Sequence, residues 1–209
     1  PIRIGDETQM LLDDTIVEDR WRLTRVMHSQ LKYPHNPILT ADKPWESDVV
    51  YAPNVIYDES LGRYRMWYLC WNNSNYYYGS GPVSYIAYAE SDDGYHWEKP
   101  LMDYCPFGRY KKTNIVYYGT HDQGPYYGAK DPSLKLRRVQ MADLGQVFRD
   151  DDDPDPQKRY KMITIEGQPM PQYHEVHCGV NLVCSPDGFR WRLASDKAIL
   201  DFSSDCQNH

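Results

Sequence analysis

One pattern constrains this chain more than any other: three short blocks occur twice, in the same order. The first set is Val55-Ile-Tyr-Asp58, Gly62-Arg-Tyr-Arg-Met66 and Ser91-Asp-Asp-Gly-Tyr-His-Trp97. The second is Val147-Phe-Arg-Asp150, Lys158-Arg-Tyr-Lys-Met162 and Ser185-Pro-Asp-Gly-Phe-Arg-Trp191. The offset is 92 residues at the Val, 96 at the Tyr and Met, and 94 at the Ser, Asp, Gly and Trp. A repeat on this scale means a supersecondary unit that buries its apolar face only by stacking on a neighbour. Each unit reads as a strand ending at Asp, a polar turn, a strand alternating basic and apolar residues, and a third strand ending in Ser-x-Asp-Gly-x-x-Trp. In that box Ser and Asp bond turn backbone, Gly supplies the positive φ, and Trp anchors the returning chain.

The rest of the sequence agrees with an all-β chain. Helical periodicity is scarce, and only Pro132 to Arg138 suggests a short helix. Runs rich in Tyr, Val, Ile, Thr and Trp, bounded by Gly, Pro, Asn and Asp, predict strands around 54–58, 63–68, 84–90, 114–118, 159–165 and 180–184. With 19 Tyr, 6 Trp and 4 Phe the chain is too aromatic for a solvated, disordered one. Its formal charge of −7 argues against nucleic-acid binding. No apolar run approaches the roughly 18 residues that span a bilayer. No signal peptide is visible, and a chain beginning at Pro1 is compatible with a leader that was removed. The five cysteines have no C-x-x-C spacing and predict neither a metal knuckle nor a redox motif. The run Asp150-Asp-Asp-Asp-Pro-Asp-Pro156 falls in a turn of the second unit and reads as a solvated loop rather than a metal site.

A third unit starts in the tail. The inner strand is preceded by Tyr51-Ala-Pro-Asn54 in the first unit and by Asp143-Leu-Gly-Gln146 in the second. The tail carries Asp205-Cys-Gln-Asn208, which places His209 where a third inner strand begins. Sheets of three or four strands recurring along a chain read as the blades of a β-propeller. The expected organisation is an N-terminal segment 1–40, a first blade with a long insert 41–140, a second blade 141–196 and the start of a third 197–209.

Several segments also resemble a known group. His35-Asn-Pro-Ile-Leu39, Lys43-Pro-Trp-Glu46, Arg63-Tyr-Arg-Met-Trp-Tyr68, Ala89-Glu-Ser-Asp-Asp-Gly-Tyr-His-Trp-Glu-Lys-Pro100 and Arg159-Tyr-Lys-Met162, with Leu11–Glu18, are similar to the bacterial five-bladed β-propeller glycoside hydrolases. That superfamily includes families 32, 43, 68 and 130, and the chain looks closest to the "family 32 N-terminal-domain-like" group. The resemblance implies hydrolysis of a poly- or oligosaccharide without a cofactor or metal, and a periplasmic or secreted location. The departure is that only two blades and a beginning are present, so the rest of the propeller or another chain would complete it. The alternative is a non-catalytic carbohydrate-binding or protein-interaction propeller segment.

Glycoside hydrolysis needs two carboxylates, one giving a proton to the leaving oxygen and one acting as nucleophile or base. The resemblance implies carboxylates near the starts of successive inner strands. It nominates Asp48 as base or nucleophile with Glu46 in reserve, and Asp143 as the group that orients the sugar and tunes the acid. Asp205 is the equivalent in the third unit, and the acid is either Asp205 or missing from this chain, with Glu166 and Glu175 as weaker candidates. Asp48, Asp143 and Asp205 should then face one cleft. Trp45 and Trp71 are candidate sugar platforms, with Asn72, Asn73 and Tyr76–Tyr78 beside them. Asn54, Gln146 and Asn208, each just before an inner strand, are candidate polar contacts. His35, His121, His174 and His177 read as surface residues, and Lys130-Asp131-Pro132 as a loop.

Overall fold

The computed structural model describes residues 3, 5–6, 10, 13–46, 49–73, 81–119, 123–125, 138–170, 175–195 and 197–201. The chain divides into two compact units, 1–36 and 37–209. In the first, Asp14 pairs with Arg20 at 2.6 Å and Arg25 at 2.5 Å, and the Tyr33 and His35 rings meet edge to face. Among the described residues none of the strands lies in it.

The second unit is all-β. Its strands are β1 (Val49–Asp58), β2 (Arg63–Trp71), β3 (Gly81–Ser91), β4 (Ile115–Tyr117), β5 (Gln123–Pro125), β6 (Arg138–Arg149), β7 (Tyr160–Met170), β8 (Glu175–Ser185), β9 (Arg192–Leu193) and β10 (Leu200–Asp201). A 3-10 turn, Pro156–Lys158, is capped by the Asp155 carboxylate. Strand positions follow from composition: β-branched and aromatic residues fill the pleats, while Asp58-Glu-Ser-Leu-Gly62 and the acidic run form turns.

The sequence repeat is a repeat of register. Strands β1–β2–β3 are antiparallel neighbours, and so are β6–β7–β8. Val55 pairs Met66, and Val147 pairs Met162. Tyr64 pairs Ser91, and Tyr160 pairs Ser185. The inner strands are irregular at matching places, between Tyr51 and Asn54 and between Asp143 and Gln146. The outer edges match too. Glu90 bridges Glu98 where Cys184 pairs Arg192, and Ile86 pairs Tyr117 where Val180 pairs Leu200. Residues 197–201, expected to open a third unit, therefore supply β10 at the outer edge of the second. The expected helix at 132–138 lies outside the described residues, apart from Arg138, which begins β6.

The two sheets pack face to face. Trp67, Leu69, Ile86 and Tyr88 of the first meet Val147, Tyr160, Met162 and Val183 of the second in one buried cluster. The far face of the first sheet is covered by the chain's own residues. Met66, Tyr68, Cys70, Tyr85 and Ala87 lie beneath Trp45, Trp97, Phe107, Tyr110 and Tyr118. The insert 97–118 thus does for the first sheet what the first sheet does for the second. One feature departs from separate blades. The opening residues of β6 pair in parallel with those of β3, Gly81 with Val139 and Ser84 with Met141. Among the described residues the strands do not close on themselves.

Both Ser-x-Asp-Gly boxes behave as their chemistry requires. Ser91 Oγ accepts from Gly94 N–H and Ser185 Oγ from Gly188 N–H, each at 2.9 Å. Asp93 and Asp187 accept the backbone N–H groups of the two residues after Gly. Trp97 and Trp191 donate their indole N–H to the Gly94 and Gly188 carbonyls. The second turn also reaches the other sheet: Arg65 donates to Asp187 O at 2.7 Å and Trp67 to Gly188 O at 2.8 Å.

Candidate functional site

Register divides the sheets into two ends with different work. At one end lie the Asp58 turn and both Ser-x-Asp-Gly boxes, which hold the sheets together. Buried Asp58 accepts from Ser60, Arg149, Arg65 and Tyr160. The Arg65 guanidinium sits 4.9 Å from the Trp67, Tyr160 and Phe189 ring centroids. Burial works to raise the Asp58 pKa. Hydrogen bonds from Ser60 and Tyr160 and the charges of Arg149 and Arg65 outweigh it and hold the group at about 2. The acidic run is built the same way around a lysine. Lys161 pairs with Asp150, and with Asp153 at 2.8 Å. Hydrogen bonds to these two carboxylates push the Lys161 pKa up.

At the opposite end β1 and β6 begin, and this is where the sequence places its chemistry. Tyr51 and Asp143 occupy equivalent positions, opposite Leu69 and Ile165. Three residues on, the strands are clamped: Val147 N–H donates to Asn54 Oδ1 at 2.6 Å. Asp143 is half-buried and Tyr51 is 42% exposed. Burial pushes the Tyr51 phenol up to about 12, and the Asp143 charge adds to it. Trp71 belongs to the same end, opposite Val49 and Ser84, with its indole N–H donated to Asn73 Oδ1 at 2.9 Å. A carboxylate beside a protonated phenol can accept from sugar hydroxyls or take a proton. A half-buried indole can offer a ring face.

Other expected site residues have different work. Glu46 is fully buried. It accepts from Asp42 N–H, Lys43 N–H, Tyr68 Oη at 2.5 Å and Lys99 Nζ at 2.6 Å. It is the anchor of the 42–46 turn, not a free reserve carboxylate. Trp45 is also buried, edge-on to Tyr110, and donates to Asn114 Oδ1 at 2.6 Å. It is a core residue rather than a sugar platform. Asn54 spends its carbonyl oxygen on β6, so its first role is to join the inner strands. Gln146, its equivalent, is exposed. Glu166 is buried, accepting from Tyr117 Oη at 2.5 Å and Thr164 Oγ1 at 2.8 Å.

Asp48, Asp205, Asn208, Tyr76–Tyr78, His121, Lys130–Pro132 and His174 lie outside the described residues, as do the side chains of Glu175 and His177. Of the three aspartates expected to face one cleft, Asp143 is the one that lies among the described residues. Among the described residues no group of three His, Cys, Asp or Glu side chains forms a metal cluster. Cys70, Cys105 and Cys184 are free thiols. Tyr51 was not a candidate on sequence grounds. Its only signal is its place in the repeat, three residues before Asn54 as Asp143 is before Gln146.

No known protein family matches the chain, and no curated protein sequence matches it. Among solved structures it is similar to an N-acetylgalactosamine deacetylase from F. plautii, in complex with blood group B trisaccharide. That likeness has 16% identity and a TM-score of 0.40, covering 73% of this chain and 31% of the other. It is also similar to BT0996 in an RGII complex, with 15% identity and a TM-score of 0.32, and to a glycoside hydrolase, with 14% identity and a TM-score of 0.32. Each of these last two comparisons covers 75% of this chain and 59% of the other. The chain thus spans less than two thirds of the length of each.

Proposed function

We propose that this chain is a segment of a β-propeller that hydrolyses glycosidic bonds in a poly- or oligosaccharide. The observation that supports the reading is the repeated irregularity at the starts of β1 and β6. It brings register-equivalent residues of two stacked sheets, Tyr51 and Asp143, to one end of the structure. Successive blades of a propeller would add further residues at this same level. In this reading Asp143 holds the sugar and tunes the acid, and Trp71 offers a ring face. Asp48, three residues before Tyr51, is the base or nucleophile, and Asp205 is the acid of the third unit.

The test is the Asp143→Asn substitution in the protein expressed from its natural reading frame, assayed on a panel of oligosaccharides. The expected outcome is a fall in kcat of about 100-fold or more, with the circular dichroism spectrum unchanged. Unaltered turnover would remove Asp143 from the mechanism. A second reading, a carbohydrate-binding or protein-interaction segment, is favoured by Glu46 and Glu166, whose carboxylates serve internal hydrogen bonds. It predicts retention of glycans by the wild-type protein with no product formed.

A further inference from the structure

Residues 13–32 are arranged inside out. Their centre is polar: Asp14 pairs with Arg20 and Arg25, and Arg25 also donates to the Asp13 carbonyl at 2.7 Å. Trp21 and Arg22 form the bend of the loop closed in this way. Arg22 holds a left-handed φ of 56°, with its guanidinium 5.6 Å from the Trp21 ring. A non-glycine residue keeps that backbone only where its surroundings fix it. The large apolar side chains stand outside: Trp21 is 76% exposed and Leu31 97%, and Leu23, Val26 and Met27 are exposed as well. Soluble chains seldom leave so many such groups in water without a partner. Residues 23–32 form neither helix nor strand, and among the described residues no backbone–backbone hydrogen bond joins 21–32 to another segment. In an extended chain Leu23, Met27 and Leu31 share one side, and Thr24, His28, Gln30 and Lys32 the other. The segment is a strand that has no sheet.

We infer that this segment is an arm that adds a strand to a second copy of the chain, along the open outer edge at β10, with Trp21 as its anchor. Charge selects the partner. From Arg20 to Ala41 there are four cationic residues and no Asp or Glu, so within a net charge of −7 everything else sums to −11. An acidic body attracts this arm from another copy, and is repelled by an anionic membrane or polymer. Topology selects the edge. The strand order ends at β10, and among the described residues no strand pairing of the chain takes in the arm. The equivalent strand of the first unit, β4, is buried throughout, whereas Ile199 and Leu200 are more than half exposed. Ile199 N–H is donated to Val180 O at 2.7 Å, so the next N–H along, that of Leu200, faces the open edge. Residues 23–32 span about 33 Å when extended, enough to cross to a neighbour. Reciprocal exchange about a twofold axis uses the contact twice and closes on two copies, where a one-way contact would run on into a filament. Asp143 belongs to neither surface, so the inference stands apart from the hydrolase reading.

The experiment replaces Trp21 by the photo-crosslinking analogue p-benzoylphenylalanine in the purified protein, expressed from its natural reading frame. The same replacement at exposed Tyr95 is the control. The expected result is a crosslink that doubles the mass, mapped by mass spectrometry to a peptide containing Ile199–Asp201 and absent from the control. A crosslink within one polypeptide would put the arm on its own body and overturn the inference. So would a doubled mass mapped elsewhere, or an analogue at 21 that stays as unreacted as the one at 95. Sedimentation equilibrium gives an independent measure. Leu200→Pro removes the edge N–H, and the pair Met27→Asp and Leu31→Asp removes the arm's apolar side. Each should raise the dimer dissociation constant about tenfold or more, with the circular dichroism spectrum unchanged. A dimer that neither change weakens, or a wild-type protein that sediments as a monomer, would refute the assignment.

Discussion

At the scale of single residues, the buried charges do the joining. Asp58 is fully buried, yet its four donors come from both sheets, Arg65 and Ser60 from the first, Arg149 and Tyr160 from the second. Its pKa is held down from 3.8 to about 2. A carboxyl with a depressed folded pKa contributes stability that is present above the unfolded value and lost as pH falls through the folded one. The ionised group should therefore contribute roughly 2 kcal/mol above about pH 4, and that contribution should vanish by about pH 2. Urea titrations of wild type and Asp58→Asn across this range measure it. The variant is expected to be less stable at neutral pH and to lack this part of the acid dependence, and parallel curves would refute the assignment. Much of this was beyond reach of the sequence. Asp58 was legible as a turn residue because Asx chemistry is local. Its partnership with Tyr160, 102 positions away, is not local. The same holds for Glu46, which stood as a reserve catalytic carboxylate because Lys99 and Tyr68, which neutralise and bury it, are distant in the chain.

At the scale of elements, the two Ser-x-Asp-Gly turns are the same object in different surroundings. Both glycines have positive φ, 78° at Gly94 and 81° at Gly188. Only the second is pressed against another sheet. Around a Cβ on Gly94 the nearest atom is Tyr64, at an ordinary 3.6 Å. Gly94→Ala should thus cost only the backbone strain, about 1 kcal/mol. Gly188→Ala should cost that plus displacement of Trp67 and Arg65, together about 2–4 kcal/mol. Guanidinium unfolding of both variants provides the comparison, and equal losses would show that the turn does not bear on the first sheet. The box itself was fully readable, since Ser, Asp, Gly and Trp act within a few residues of one another. What it plugs into was not, because the sequence of a turn does not reveal which sheet lies opposite.

At the scale of the whole molecule, the repeat predicted two like units of successive strands, and the structure gives both the same register, because both solve the same packing problem with the same alternation. It did not predict the parallel pairing of β3 with β6, nor that 197–201 would finish the second sheet. These depend on where the connections run, which residue spacing leaves open. The cluster shared by Trp67, Tyr88, Tyr160 and Met162 makes each sheet a wall of the other's core. Residues 37–201 should therefore melt in one transition. Tryptophan fluorescence, dominated by the first sheet, and far-UV circular dichroism should give coincident midpoints, whereas two separated transitions would show independent sheets.

The cover that residues 97–118 provide for the first sheet also has a consequence in time. During synthesis the N-terminal part of a chain leaves the ribosome first. The first sheet finds the lining for its far side within its own sequence, so by the time β7 and β8 emerge a finished surface awaits them. Among the described residues the outward face of the second sheet carries no comparable cover, and folding along the stack is expected to run in one direction, the direction of translation.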